Sequence, residues 1–133
     1  MDANEEQSMT ILGDNAEPYF LDVELADSQI GDVQTMQGML TMLEETLARD
    51  LPLIETLLEG GDHVAANRLL HPLKGFIPIF CGEALCAHVT KVEEMSKTGP
   101  SDAVLAAYTP LRVELEKLMA EVSVYLNESG GTN

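Results

Sequence analysis

Residues 63–80 read HVAANRLLHPLKGFIPIF, and their apolar side chains recur at steps of three and four residues. This spacing predicts an amphipathic α-helix, because each residue turns about 100° around a helix axis. The stretch contains Pro72 and Pro78, each of which removes one backbone hydrogen-bond donor. We therefore expect a helix that bends near its prolines and places one face in a core. The predicted core residues are Ala66, Leu69, Leu70, Leu73, Ile77 and Phe80.

Apolar stripes of the same kind lie on both sides of this stretch. They predict a long helix at about residues 32–59, another at about 83–97 and a last one at about 101–127. Four amphipathic helices with short connections can bury their stripes by packing antiparallel around one core. The expected fold is therefore all-α: an up-down antiparallel four-helix bundle, with a short extra N-terminal helix in residues 18–26.

Residue types that cap or interrupt helices predict where the chain changes direction. Asp62 and Ser101 precede apolar stripes and are expected to cap the second and the last long helix. Pro52 predicts a kink, or a fresh first turn capped by Asp50, in the first long helix. Pro110 predicts a bend in the last one.

The 133-residue chain is within the size range of one domain, and we expect it to be a monomer. Residues 1–16 lack a sustained apolar period and carry several acids, which predicts a flexible acidic tail. Residues 17–128 are predicted to form the bundle domain. Residues 129–133 are predicted to form a flexible C-terminal tail.

The chain carries 23 acidic and only 7 basic residues, a formal net charge of −16. Such a surface repels phosphate backbones and anionic lipids, so nucleic acid and membranes are poor partners. No apolar run approaches the roughly 18 residues of a membrane-spanning helix, and the N-terminus is acidic where a signal peptide would be basic. We therefore expect a soluble, cytoplasmic protein.

His71 is predicted to point away from the core. Around the helix it falls roughly 160° from Leu73, on the half opposite the apolar stripe. Residues 63–82 contain no Asp or Glu, although both are common elsewhere, yet they include Arg68 and Lys74. Each of these cations lies one turn from His71. The acidic chain therefore has a local cationic face around an exposed imidazole.

This face has the chemistry of a phosphate acceptor. An exposed neutral imidazole is a competent nucleophile near pH 7, and nearby cations stabilise a transferred phosphoryl group. Lys74 is close enough to sit beside an anion on His71, and Arg68 would add electrostatic support from the other side. Gly75 costs a helix about 1 kcal/mol relative to alanine, a cost that is tolerated where another surface approaches closely.

The run HPLKG at residues 71–75, followed by Phe80 and by Leu85 near the start of the next helix, resembles the signature of histidine-containing phosphotransfer (HPt) domains. The resemblance covers about residues 20–127, because the helix lengths and the Gly-Asp turn before the histidine helix also match. It implies a module of two-component relays. Such a module accepts a phosphoryl group from an aspartyl phosphate on a receiver domain and passes it to another receiver.

The resemblance also implies roles for individual residues. His71 would be phosphorylated on the ring nitrogen farther from the backbone, Lys74 would steady the phosphoryl oxygens and Gly75 would clear room for the receiver. The implied partners are response-regulator receiver domains and a hybrid sensor histidine kinase. The protein would hold no cofactor of its own, since the receiver supplies Mg²⁺, and it would have no ATP-dependent kinase activity.

Several residues depart from the usual HPt pattern. Phe76 stands where a small residue is usual, Cys81 stands where a glycine is usual, and Pro72 and Pro78 each delete a helical hydrogen bond. Whether these residues tune or abolish transfer is left open by the sequence. The alternative function is a docking module of the same fold, which binds a receiver or kinase without accepting phosphate.

The remaining histidines and the cysteines suggest structural roles. Cys81, Cys86 and His88 are spaced so that they do not share one helix face, which disfavours a metal site built with His71. We expect the cysteines to be small buried hydrophobic residues and His88 to lie at the edge of the core. His63, at the start of its helix, is expected to be solvated.

Overall fold

The computed structural model describes residues 20–130, with side chains through Glu128. This part of the chain contains five helices and, apart from one isolated bridge, no β-structure. The predicted all-α class is confirmed. The helices are α1 (Val23–Ile30), α2 (Val33–Glu59), α3 (His63–Phe80), α4 (Glu83–Thr98) and α5 (Ser101–Gly130).

The four long helices form one bundle. Helix α2 packs against α3 and α5, and α4 packs against α3 and α5, while α1 lies against α2 and α3. Connections of two or three residues join consecutive long helices, so the chain reverses direction at each of them. This is the predicted up-down arrangement with its short extra helix.

Of the two predicted ends of the bundle domain, the structure describes only the C-terminal one. Helix α5 extends through Gly130, beyond its predicted end near residue 127. The first two residues of the tail expected at 129–133 therefore continue α5. The tail expected at residues 1–16 lies outside the described residues and stays a prediction.

The predicted apolar stripes build the core. Nearly all of their members are buried, including Leu40, Leu43 and Leu47 of α2, which are inaccessible to solvent. Burying one such side chain contributes about 1.5–3 kcal/mol relative to leaving it exposed, so packing holds these helices in place more than helix propensity does. Val33 is 53% exposed, which shows that the α2 stripe ends at the margin of the bundle.

Helix α1 begins later than the sequence predicted. The helix expected over residues 18–26 starts only after Asp22, whose carboxylate accepts a 3.0 Å hydrogen bond from the backbone nitrogen of Leu25 and so caps it. Leu21 forms an isolated antiparallel bridge with Cys81. The residues before α1 are therefore tied to the end of α3 instead of forming another helical turn.

One of the predicted caps is confirmed and another is wrong. Asp62 caps α3 by accepting a 3.0 Å hydrogen bond from the backbone nitrogen of Ala65. Ser101 does not cap α5, because the helix begins at this residue and the carbonyl of Pro100 accepts from the nitrogen of Ala103 at 3.1 Å. The Ser101 hydroxyl is instead buried, with no hydrogen-bond partner among the described residues.

The prolines inside the long helices do not end them. Of the two alternatives predicted at Pro52, a kink or a fresh first turn capped by Asp50, the fresh turn is wrong, because α2 runs unbroken from Val33 to Glu59. The Asp50 carboxylate is buried and accepts a 2.8 Å hydrogen bond from Arg49 Nε. Apolar side chains before and after each proline pack into the same core. This packing holds the two parts of each helix against the rest of the bundle. The helices run through Pro52, Pro72, Pro78 and Pro110.

The hydroxyl of Tyr108 joins α5 to α2, because it donates a 2.8 Å hydrogen bond to the carbonyl oxygen of Leu51 from a fully buried ring. We expect Tyr108→Phe to lower the free energy of unfolding by about 1 kcal/mol, since it removes this bond and keeps the ring. Urea unfolding should show a lower midpoint at an unchanged slope. A midpoint equal to that of the unmutated protein would contradict a stabilising role for the bond.

Candidate functional site

The outward face of α3 carries His71, as predicted. Its side chain is 65% exposed, whereas Leu73 is fully buried. Arg68 and Gly75 are also exposed, one turn to either side of the imidazole. The face of α3 expected from the helical period is therefore the face that solvent reaches.

A buried carboxylate from α4 contacts both His71 and Lys74. Oε2 of Glu93 is 3.1 Å from His71 Nδ1, and Oε1 of the same group is 3.0 Å from Lys74 Nζ. The Glu93 side chain is inaccessible to solvent. Lys74 Nζ also lies 3.6 Å from Glu94 Oε2. The structure thus brings two of the predicted site residues to one glutamate and leaves Arg68 outside this cluster.

Asn67, one turn before His71, contacts the same part of α4. Its Nδ2 lies 3.0 Å from Glu93 Oε2, 3.1 Å from the backbone oxygen of Glu93 and 2.9 Å from Ser96 Oγ. The Ser96 hydroxyl donates a 2.6 Å hydrogen bond to the backbone oxygen of Glu93. A connected set of polar contacts therefore joins α3 to α4 beneath the imidazole.

These contacts determine the charge of the cluster. Burial raises the pKa of Glu93, but its contacts with His71, Lys74 and Asn67 outweigh burial and lower the pKa from an ordinary 4.5 to about 2. The pKa of Lys74 is raised, chiefly by its contact with Glu93. At neutral pH Glu93 is therefore an anion and Lys74 is a cation.

The ionised Glu93 also determines which nitrogen of His71 carries the proton. A carboxylate only accepts hydrogen bonds, so the His71 nitrogen that faces it, Nδ1, must donate. In a neutral imidazole the other nitrogen then holds the lone pair. Nε2, the nitrogen farther from the backbone, is therefore the nucleophilic atom of an exposed ring.

Gly75 leaves an open surface one turn after His71. Apart from its chain neighbours and the adjacent backbone of its own helix, a Cβ atom added at this position would meet no atom of the described chain within 4 Å. No contact inside the bundle therefore requires glycine here. Any requirement for a small residue must come from outside the chain.

Sequence reasoning did not identify Glu93 or Asn67 as site residues, nor Ser96 as a contact between α4 and α3. The α4 sequence did carry a signal, because Glu93 and Ser96 fall at helical spacing on the apolar stripe that includes Val89 and Val92. An acid at a core position needs a partner, and its partners lie on the facing helix. The contact itself could not be read from the sequence of either helix alone.

His63 is not solvated as expected. It is partly buried, and its Nδ1 lies 2.8 Å from the backbone oxygen of Ser96 near the end of α4. The edge of its ring also occupies the space beside Gly99, where a Cβ atom would approach it to 2.8 Å. His63 therefore joins the start of α3 to the end of α4.

The other sulfur and imidazole groups lie apart from the site. His88 is 24% exposed and its Nδ1 is 2.6 Å from Glu114 Oε1, while the Cys86 thiol is 3.5 Å from the backbone oxygen of Cys81. Burial raises the pKa of the Cys81 thiol to about 12. Among residues 20–130, no three His, Cys, Asp or Glu side chains are grouped so that they could hold a metal ion. No helix in the same range is long and apolar enough to cross a membrane.

No protein-family model matches the chain, and no curated protein matches it. Among solved structures, the chain is similar to the HPt domain of the Hpt sensor hybrid histidine kinase from Shewanella, with a TM-score of 0.74 over 83% of this chain and 96% of that one. The chain has the HPt-domain fold. The two sequences are 23% identical, so this likeness establishes the fold and leaves the function to the site.

We expect Glu93→Gln to reduce stability most above about pH 4.5 and progressively less as the pH falls toward 2. The reason is that the pKa of Glu93 is lower in the folded protein than in the unfolded chain, so its contribution is complete above the unfolded pKa and is lost as the pH falls through the folded one. Urea unfolding over a series of pH values measures this difference.

Glu94→Gln is the matched control for this experiment. Glu94 is 55% exposed and lies farther from Lys74, so we expect a smaller effect on stability at every pH. A stability difference between the Glu93→Gln and unmutated proteins that does not change with pH would contradict the assignment of a paired, ionised Glu93.

Proposed function

We propose that this protein is a histidine phosphotransfer module of two-component signalling, acting as a cytoplasmic monomer. His71 accepts a phosphoryl group from the aspartyl phosphate of a receiver domain and relays it to another receiver. The observation that carries the proposal is an exposed imidazole whose Nδ1 contacts a buried, ionised carboxylate. The HPt-domain fold and the HPLKG run at residues 71–75 support the same function.

In the transfer step, the lone pair of His71 Nε2 attacks the phosphorus atom of the acyl phosphate. The bond between phosphorus and the aspartyl oxygen breaks, and the aspartate leaves as a carboxylate. The imidazole gains positive charge while its Nδ1 proton stays in place, and Glu93 lies next to that charge. Transfer onward reverses these changes and returns the ring to its neutral form.

Lys74 can stabilise the phosphoryl group although it is already ion-paired with Glu93. Its ammonium already contacts Glu93, and at 28% exposure it can also be reached from the surface. Oxygens of a phosphoryl group on His71 would compete with Glu93 for the ammonium protons. Lys74 therefore steadies the phosphoryl group and Glu93 in turn, while exposed Arg68 adds positive potential.

The receiver docks on the outward face of α3. Residues 63–82 carry no acid in a chain of net charge −16, so the Mg²⁺-binding acidic cluster of a receiver meets less repulsion here than elsewhere. That Mg²⁺ comes with the receiver, and this chain supplies neither a cofactor nor ATP binding. A hybrid sensor histidine kinase is a suitable source of the phosphoryl group, and the similar Shewanella domain is named as part of such a kinase.

The departures from the HPt pattern are compatible with transfer. Phe76 is partly buried and packs edge-on against Phe80, with ring centroids 5.3 Å apart, so it supports the core instead of blocking the face. Helix α3 is continuous through Pro72 and Pro78. These placements give no reason against transfer, and the labelling experiment below distinguishes it from the alternative, a docking module that is never phosphorylated.

The direct test is to mix the protein with receiver domains from its own organism that carry a radiolabelled phosphoryl group. We expect acid-labile label on the unmutated protein and on His88→Gln, a control for a histidine outside the site. We expect no label on His71→Gln, although this variant should still bind the receiver. Binding without label on the unmutated protein, with every cognate receiver, would instead establish the docking function.

Gly75→Ala separates docking from folding. We expect it to raise the free energy of unfolding by about 0.5–1 kcal/mol, because alanine favours a helix and the new methyl group meets nothing inside the bundle. We also expect it to weaken receiver binding or slow transfer by about tenfold, since one misplaced contact at an interface core costs about 1.4 kcal/mol or more.

Gly38→Ala is the matched control, because Gly38 is an exposed helical glycine of α2 that also has open space around it. It should stabilise the protein to a similar degree and leave transfer unchanged. Equal transfer rates for the Gly75→Ala and Gly38→Ala proteins would remove Gly75 from the docking surface.

A further inference from the structure

Asn67 is the polar residue of α3 with the most contacts to α4. Its amide nitrogen lies within hydrogen-bond distance of three oxygens, one on the Glu93 carboxylate, one on the Glu93 backbone and one on the Ser96 side chain. It lies one helical turn before His71 and does not contact the imidazole. Any effect that Asn67 has on His71 must therefore pass through Glu93.

The direction of these hydrogen bonds follows from the groups involved. A carboxylate oxygen and a backbone oxygen can only accept. The Ser96 hydroxyl uses its proton on the Glu93 backbone oxygen at 2.6 Å, so its oxygen is available to accept as well. Three acceptors around one nitrogen identify it as the NH₂ group of Asn67, whose two protons are shared among them.

Glu93 Oε2 is the atom on which the cluster depends. It accepts from Asn67 at 3.0 Å and from His71 Nδ1 at 3.1 Å, and these two donors lie one turn apart on α3. The ammonium groups lie nearer the other oxygen, with Lys74 3.0 Å and Lys97 4.0 Å from Oε1. Asn67 is therefore the neutral donor that holds Oε2 beside His71, while the two cations attract the other oxygen, Oε1.

We propose that Asn67 is a positioning residue for phosphotransfer, which holds the Glu93 carboxylate so that Oε2 faces Nδ1 of His71 and the lone pair stays on Nε2. This inference rests on the proposed function of His71 as phosphoacceptor. It assigns to Asn67 no contact with the phosphoryl group and no proton transfer.

The consequence for the reaction lies in the tautomer of His71. If the carboxylate turns toward the ammonium groups, Nδ1 loses its acceptor and the neutral ring is free to carry its proton on Nε2 instead. A protonated Nε2 has no lone pair with which to attack phosphorus. Loss of the Asn67 amide should thus reduce the population of reactive imidazole without altering the docking face.

A merely structural role for Asn67 would have different consequences. Its contacts also join α3 to α4, so a substitution that only loosened the helices would lower stability and leave the His71 tautomer unchanged. Ser96→Ala is the matched control, because it removes one acceptor of the Asn67 amide while leaving the contact with Oε2. We expect Ser96→Ala to cost some stability and to keep the tautomer.

The tautomer can be measured on the protein alone. We would label the histidines with ¹⁵N and record their ring nitrogen shifts by NMR, with His71→Gln used to assign the signals of His71. We expect the unmutated protein and Ser96→Ala to carry the neutral-state proton mainly on Nδ1 of His71. In Asn67→Ala we expect a shift of population toward the tautomer with the proton on Nε2.

Asn67→Leu keeps the experiment informative if Asn67→Ala folds poorly. Leucine has nearly the shape of asparagine and a better helix propensity, but it has no hydrogen-bond donor. We expect it to give the same change in tautomer as Asn67→Ala in a protein that circular dichroism shows to be folded.

Transfer kinetics supply the second readout. With a phosphorylated receiver in excess, we expect Asn67→Leu to lower the maximal rate of transfer about tenfold, as is common when the partner that orients a reacting ligand is removed. The receiver concentration at half-maximal rate should stay within about twofold, since the docking face is unchanged. Ser96→Ala should transfer at close to the unmutated rate.

Two results would overturn the inference. One is an unchanged His71 tautomer in folded Asn67→Leu, whatever its transfer rate. The other is a changed tautomer in Asn67→Leu together with a transfer rate equal to that of the unmutated protein. Failure of the proposed function is distinguishable from both, because it would appear as absence of label on the unmutated protein, while the NMR measurement requires no receiver.

Discussion

The burial of the Glu93 carboxylate between α3 and α4 is the constraint on which the site depends. A buried anion is unfavourable unless nearby groups compensate its charge and satisfy its oxygens. Here the compensating groups are Lys74, His71 and Asn67, all from the facing helix. The same contacts that make the anion tolerable therefore also fix the orientation of an exposed imidazole. Stability and reactivity share one set of hydrogen bonds.

This arrangement explains why a strongly acidic protein has an acid-free helix. Residues 63–82 contribute cations and neutral donors, and the carboxylate that contacts the imidazole enters from α4 and stays below the surface. An acid on the outer face of α3 would compete with Glu93 for Lys74 and would repel an acidic partner. The carboxylate that contacts the imidazole is thus inaccessible to solvent, and to a receiver docked on α3.

The sequence was sufficient to predict the helices and the exposed face of α3, because a 3.6-residue period is a local property of the chain. It also placed Asp62 correctly as a cap. It was wrong about Ser101, because α5 begins at this residue and not after it. It was also wrong about a cap at Asp50, whose carboxylate is buried and pairs with Arg49. It missed Glu93 and Asn67 as partners, because their contact depends on how two helices are aligned after they pack.

The connection between α3 and α4 is only two residues long, and this has a consequence for changes in chain length. His71 and Glu93 lie 22 positions apart, and everything between them is helix except Cys81 and Gly82. Inserting or deleting one residue in the part of either helix that lies between His71 and Glu93 would rotate the remainder by about 100° and carry Glu93 away from the imidazole. The number of residues between His71 and Glu93 therefore determines whether the two side chains can meet. The three-residue connection between α2 and α3 lies outside that interval, so its length can vary without changing the phase between the two residues.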